Sequence, residues 1–273
     1  MVRSLWTAAT GMIAQQNNVD TIANNLANVN TTGYKTETNE FKSLLYQTIQ
    51  TKTTTANGEQ KPIGAQVGLG VRNAAITSQF SQGAFLASES NFAFAIGGGG
   101  FFGIRGEDGK TYYTRNGNFN VSMGVDGLTL TDMNGHPVLD TEGEPIVLGS
   151  TEDIVAGNVT VDASGNLLYP DENNNPQPMG MQIGLWQFQN PAGLNKEGDT
   201  LYSVTAASGE PINEADNDNV TPSVVRQGYL EGSNVQVADE MVNLIVAQRA
   251  YELNSKAITT TDEMMQLANQ LKR

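Results

Sequence analysis

Gly98, Gly100 and Gly103 have the spacing of a dinucleotide-binding turn, whose chemistry needs a helix N-terminus directly after the glycines to face a pyrophosphate. Here Phe101-Phe102-Gly103-Ile104 follows, which predicts a strand. A Gly-rich turn entering a β domain is therefore the expectation, with no cofactor site. His136 is the sole histidine and cysteine is absent, so the common zinc sets lack ligands and a serine-histidine triad would depend on this one position. His136 follows Asn134-Gly135 and precedes Pro137, which predicts a loop residue. Two acid sets alternate, Asp140, Glu142 and Glu144, then Glu214, Asp216 and Asp218. Alternation on a strand would gather each set on one face, as a calcium site or a glycosidase pair requires. Neither set completes a calcium loop with its distal glutamate, so exposed loop acids are expected. No catalytic residue, metal ligand or cofactor is assigned, and the chain reads as a non-enzyme.

The elements that would carry these residues show a clearer pattern at the two ends of the chain. Leu5, Met12, Val19 and Leu26 recur every seven residues, as do Val237, Leu244, Tyr251, Ile258 and Met265. A seven-residue apolar repeat keeps one stripe of a helix facing a neighbour, so the termini are predicted to pair as a coiled coil. The first helix is expected from about Ser4 to Asn28, and the second after Gly232, capped by Ser233 or Asn234 and ending near Leu271. Ala247, Asn254, Thr261 and Ala268 form a small, polar line three residues beyond the second repeat. Between Met1 and Thr32 the only charges are Arg3 and Asp20, and the polarity comes from Gln and Asn. A free surface helix usually carries Lys and Glu pairs, so this one is expected to be enclosed, ordering fully only on assembly.

Between the helices two zones follow. Residues 36–70 are rich in Thr, Gln and Gly and read as an extended or hairpin-like connector, with Asn57-Gly58 as a turn. From about 71 to 230 the period shifts to two. Phe92 to Ile96, Phe101 to Ile104, Tyr112 to Thr114, Leu128 to Leu130 and Leu167 to Tyr169 alternate with turn residues, predicting an antiparallel β domain. The fold class is thus α+β, with segments 1–35, 36–70, 71–230 and 231–273.

Of the net charge of −14 over 273 residues, residues 71–230 carry 19 acids against 6 bases. That field repels phosphate backbones and argues against nucleic acid as a partner. No run approaches the roughly 20 apolar residues of a spanning helix, so membrane insertion is not expected. The start does not resemble a cleavable secretory signal.

Leu5-Trp6-Thr7-Ala8-Ala9-Thr10-Gly11-Met12, Gln15-Gln16-Asn17-Asn18-Val19-Asp20 and Ala23-Asn24-Asn25-Leu26-Ala27-Asn28-Val29-Asn30-Thr31-Thr32-Gly33-Tyr34-Lys35 together resemble the N-terminal signature of the bacterial flagellar rod and hook proteins. Glu231-Gly232-Ser233-Asn234-Val235, Glu240-Met241-Val242, Ala247-Gln248-Arg249-Ala250-Tyr251-Glu252 and Asn254-Ser255-Lys256-Ala257-Ile258 resemble the other end of the same family. Tyr46-Gln47-Thr48-Ile49 and the polar stretch toward Pro62 resemble the distal-rod branch. A proximal-rod or hook-type member is the alternative, and a β-rich binding or adhesive module is the alternative outside the family. The resemblance implies a homo-oligomeric helical tube in the flagellar basal body, crossing the periplasm and transmitting torque. It also implies export without a cleavable signal by the flagellar type III apparatus. The implied partners are proximal rod proteins, the hook protein, and P-ring and L-ring proteins.

Overall fold

The computed structural model describes residues 2–50, 64–124, 127–149, 155–171, 175–217 and 220–271; the expected Asn57-Gly58 turn and Asp218 lie outside them. The architecture is α+β, one long helix at each end and antiparallel strands between. The described residues divide into two compact units, one of 1–27, 37–78 and 236–273, the other of 28–36 and 79–235.

The first unit holds α1 (Val2–Ala27) and α2 (Val237–Gln270), which pack side by side, with strands β1 (Glu37–Ser43), β2 (Tyr46–Gln50), β3 (Ala65–Gly68) and β4 (Val71–Ser78). β1 pairs antiparallel with β4 through a bulge at Glu40/Phe41, and β2 pairs with β3. α2 starts after Gln236, which makes no side-chain capping bond; Asp239 and Glu240 place negative charge in the first turn, where the helix dipole favours it. The expected caps act elsewhere. Ser233 Oγ accepts from Val235 N, and Asn234 is engaged with residues 36, 79 and 81, so neither satisfies the helix end.

The strands of the second unit are all antiparallel, with two short 3-10 turns at Ala156–Asn158 and Pro191–Gly193 between them. β5 (Phe85–Ala87), β6 (Phe94–Gly97), β7 (Phe101–Arg105), β8 (Thr111–Thr114), β9 (Asn120–Met123), β10 (Leu128–Thr131), β11 (Val147–Gly149), β12 (Thr160–Val161), β13 (Asn166–Pro170) and β14 (Pro176–Gln182) come first. β15 (Leu185–Gln187), β16 (Asn195–Gly198), β17 (Leu201–Ser203), β18 (Ile212–Asn213), β19 (Val224–Gln227) and β20 (Tyr229–Glu231) complete it. Its largest sheet runs β16-β17-β8-β7-β15-β18. β7 lies inside that sheet and is buried on both faces. Alternation sends Phe102 and Ile104 into a cluster with Phe94, Phe119 and Leu130, and sends Phe101 into another with Tyr113, Trp186 and Tyr202. Edge-to-face ring contacts such as Phe102 on Phe119 at 5.1 Å and Tyr113 on Phe188 at 4.9 Å fill this core.

Candidate functional site

Gly100, Gly103, His136, Asp140 and Glu214 are each taken up by local packing or hydrogen bonding. A Cβ on Gly103 would meet the Trp186 ring at 2.3 Å, and one on Gly100 would meet Glu214 Oε1 at 2.6 Å, so these glycines permit close packing ahead of a strand rather than phosphate binding. His136 Nδ1 lies 3.1 Å from Asp132 Oδ2 in a tight turn, where Asp132 Oδ1 accepts from the backbone N–H of Asn134 and of His136. Asp140 Oδ1 accepts from the backbone of Glu142 and Glu144, and Glu214 accepts from Ser223 N, Ser223 Oγ and Gln187 Nε2. Among the described residues no group of His, Cys, Asp and Glu is arranged to hold a metal ion, and no helix is long and apolar enough to cross a membrane.

The seam between α1 and α2 is built from small and polar residues. A Cβ on Gly11 would lie 2.9 Å from Asn254 Nδ2, so the backbone of α1 lies against that amide. Asn25 Nδ2 donates to Glu240 Oε2 at 3.3 Å and to the backbone oxygen of Glu37 at 2.8 Å, while its Oδ1 accepts from Glu37 N at 2.9 Å. From Gly11 to Asn25, and from Asn254 back to Glu240, is two heptads, so the helices run antiparallel in a constant register. The same offset sets Asn18 opposite Ala247. Ala8, Ala14, Thr21, Ile22 and Asn25 are the buried residues of α1, and Glu240, Ala247 and Thr261 those of α2. Small side chains at the crossing let helix axes approach closely.

The apolar heptad residues flank this line. Leu5, Met12, Val19 and Leu26 of α1 and Leu244, Ile258 and Met265 of α2 are half-buried, and Val237 and Tyr251 are exposed. Outside the seam α2 presents Met241, Val242, Ile245, Val246 and Leu253 to solvent, and α1 presents Trp6 and Ile13. Gln16, Gln248, Arg249 and Lys256 are exposed, Gln15 and Asn254 half-buried; Arg249 pairs with Glu252 at 2.7 Å, one turn along. In the β2–β3 hairpin, Tyr46 lies across from Gly68, and Tyr46, Gln47, Thr48 and Ile49 are all exposed.

The remaining signature residues belong to the second unit, where the segments leading from and to the helices are fastened by a buried ion cluster. Lys35 Nζ contacts Glu231 Oε1 at 2.5 Å and donates to the backbone oxygen of Ser81 at 2.8 Å. Arg115 contacts Glu231 Oε2 at 3.4 Å, donates to the backbone oxygen of Gly98 at 2.9 Å and stacks over the Phe101 ring at 4.9 Å. All three charged side chains are at most 2% exposed. Burial pulls the Lys35 ammonium below its ordinary pKa, against the attraction of Glu231, and burial likewise lowers that of Arg115.

Around the cluster the backbone is tied in several places. Gly33 N donates to the backbone oxygen of Glu231 at 2.8 Å. Gly33 has φ +72°, and a Cβ there would strike Asn116 N at 2.6 Å, so both conformation and space require glycine. Thr32 Oγ1 donates to Asn116 Oδ1 at 2.9 Å. Asn234 Oδ1 accepts from Thr36 N and Oγ1, each at 2.7 Å, while its Nδ2 donates to the backbone oxygen of Gln79 and to Ser81 Oγ. Asn28 and Tyr34 are half-buried, and Asn30 is exposed. Sequence reasoning did not single out Arg115, Glu231 or Glu240. The available signal was that Lys35 and Glu231 are charges of opposite sign in the two recognisable terminal stretches.

Three family models match. One described as flagella basal body rod protein covers residues 5–35, one described as flagellar hook protein FlgE/F/G D1 domain covers 95–169, and one described as flagellar basal body rod FlgEFG protein C-terminal covers 226–271. The chain is 44% identical to the flagellar basal-body rod protein FlgG of Borreliella burgdorferi, over 100% of both chains. It is 41% identical to the FlgG of Agrobacterium fabrum over 98% of both. It is also 32% identical, over the full length of both, to the flagellar hook-basal body complex protein FlhP of Bacillus subtilis. Terminal helices, ion-fastened linkers and the β unit thus fall within the matched stretches, and the chain belongs to the flagellar basal-body rod protein family.

Proposed function

We propose that the chain is a structural subunit of the distal rod, stacking helically with its own copies into a hollow shaft that transmits torque from motor to hook and lets exported subunits pass. As a member of a structural rod family it is a building block and not an enzyme. Its α1–α2 pair acts as an antiparallel coiled coil whose outer faces meet those of neighbouring copies and line the tube. Leu5, Met12, Val19, Leu26, Val237, Leu244, Tyr251, Ile258 and Met265 are the assembly residues.

The observation that carries this reading is the apolar outer surface of α2. Met241, Val242, Ile245, Val246 and Leu253 lie at helical spacing, each between 53% and 68% exposed. Clustered exposure of large apolar residues marks an interaction surface. The β2–β3 hairpin, with Leu45, Tyr46 and Ile49 exposed, braces adjacent subunits and stiffens the shaft. In the basal body the subunit passes through the periplasm after export by the flagellar type III apparatus. It meets proximal rod proteins below, the hook protein above, and P-ring and L-ring proteins around it.

Immunogold electron microscopy of basal bodies carrying an epitope in an exposed β-unit turn tests the placement. Label at the level of the rings, below the hook base, is expected. Label at the motor end, or along the hook, contradicts it. Removal of residues 46–63 is expected to give bent or flexible rods; straight, stiff rods from that deletion refute the bracing role.

A further inference from the structure

Lys42 on β1 and Arg72 on β4 are directly opposite one another in the antiparallel ribbon, so their side chains leave the same face about 5 Å apart at Cβ. Both are exposed, and among the described residues neither makes an ion pair or a side-chain hydrogen bond. Glu40, the nearest acid along β1, pairs with neither. Like charges set opposite each other across a ribbon oppose its pairing, so the arrangement works against the isolated subunit. The ribbon is nevertheless held in place. Val71 N donates to Thr10 Oγ1 of α1 at 3.4 Å, and Leu44 N donates to the backbone oxygen of Gly70 at 2.9 Å. Just beyond the two cations, Leu45 and Leu69 are 84% and 40% exposed.

We propose that the Lys42–Arg72 pair docks on carboxylates of the acidic β unit of a second copy of this chain. Charge complementarity selects that occupant. Residues 79–230 hold 19 acids against 5 bases, and among the described residues the exposed Glu142, Glu197, Asp199 and Asp216 form no ion pair. A phosphate polyanion would meet the same two cations, but the field of the β unit repels it and it leaves Leu45 and Leu69 in water. An acidic protein surface engages both the cations and the leucines. The inference rests on the rod reading and adds to it the face that the ribbon meets.

The test uses the full chain. Lys42→Gln with Arg72→Gln removes both charges and keeps the side chains polar. In dilute, monomeric protein the melting temperature is expected to stay level or rise, because a repulsion is relieved. The critical concentration for assembly is expected to rise about tenfold, the weight of two rim ion pairs. Lys42→Glu with Arg72→Glu is expected to raise it further. A lowered melting temperature in the neutral variant would show that the cations are paired within the subunit and overturn the proposal; so would an unchanged critical concentration in both variants.

A second arm reads the contact itself. Filaments assembled from equal amounts of isotope-labelled and unlabelled wild-type chain are treated with a carbodiimide, which joins an amine to a carboxylate in direct contact. Mass spectrometry is expected to find Lys42 joined to an Asp or Glu of residues 79–235 in a differently labelled chain, and only in the assembled state. Lys42 joined solely to its own chain, or solely to carboxylates of a neighbour's helices, overturns the proposal. A monomer held on a heparin column through these two residues, with no such link in filaments, assigns the pair to a polyanion and also overturns it. If wild-type chain assembles without the link, the docking is refuted and the rod reading stands; wild-type chain that assembles at no concentration refutes both.

Discussion

The two compact units solve burial in opposite ways. The β unit closes on itself: β7 is buried on both faces, its rings interlock, and its two buried cations, Lys35 and Arg115, share the one buried carboxylate of Glu231. The helical unit stays open. Its seam is made of Gly11, Ala14, Asn25, Ala247 and Thr261, Met241, Val242, Ile245, Val246 and Leu253 face outward along α2, and among the described residues four of the five unpaired buried polar atoms belong to it. A domain that must remain folded alone hides its apolar groups, whereas a surface meant for partners carries them outside. Under the proposed rod reading, folding falls to one unit and assembly to the other.

Glu231→Gln should break the β unit most severely, since it leaves Lys35 and Arg115 buried together without a counter-charge. A loss of about 3–5 kcal/mol is expected by urea unfolding. Lys35→Met should cost less, because Arg115 still pairs with Glu231. Gly33→Ala combines a left-handed backbone with a backbone clash and should cost about 2 kcal/mol. On the other side of the comparison, Gly11→Leu should overpack the helix seam by about 1–3 kcal/mol. It should impair assembly while the melting of the β unit stays unchanged, and a shift in that melting would erase the distinction between the units.

The smallest effect is a pH slope. Lys35 has a lowered pKa when folded, so between that value and the ordinary lysine value of 10.5 the unfolded chain binds the proton more tightly and stability rises with pH. Tyr113 opposes this from about pH 10 upward. Burial pushes its pKa up to about 12, so its contribution falls as pH rises through that range. Comparing melting curves of wild type and Lys35→Met below pH 10 isolates the lysine: the upward slope should be present in the first and absent in the second.

Much of this comparison was legible in the residues. Period two at Phe101 to Ile104 and Leu128 to Leu130 places strands where β7 and β10 occur, because burial on a pleat imposes that period. The seven-residue repeats locate both helices, and α1 and α2 begin and end within a few residues of the expected limits. The heptad repeat by itself does not show which line of a helix is deepest, although the small, polar line of Ala247, Asn254, Thr261 and Ala268 beside it predicts close packing. A heptad scan weights large apolar residues, whereas close approach selects small ones, so Ala247 and Thr261 lie deeper than Leu244 and Ile258. Asn234 illustrates another limit. A residue type favoured at helix starts is equally suited to bridging two strands, and only tertiary structure decides between them. The cluster of Lys35, Arg115 and Glu231 joins residues far apart in sequence, and no local signal pairs them.

Electron microscopy of the purified intact chain beside a fragment of residues 28–235 tests the division of labour most directly. The account predicts straight, hollow filaments from the intact chain, and from the fragment a monomer that melts cooperatively. Filaments formed by the fragment, or a fragment that does not fold, would contradict it.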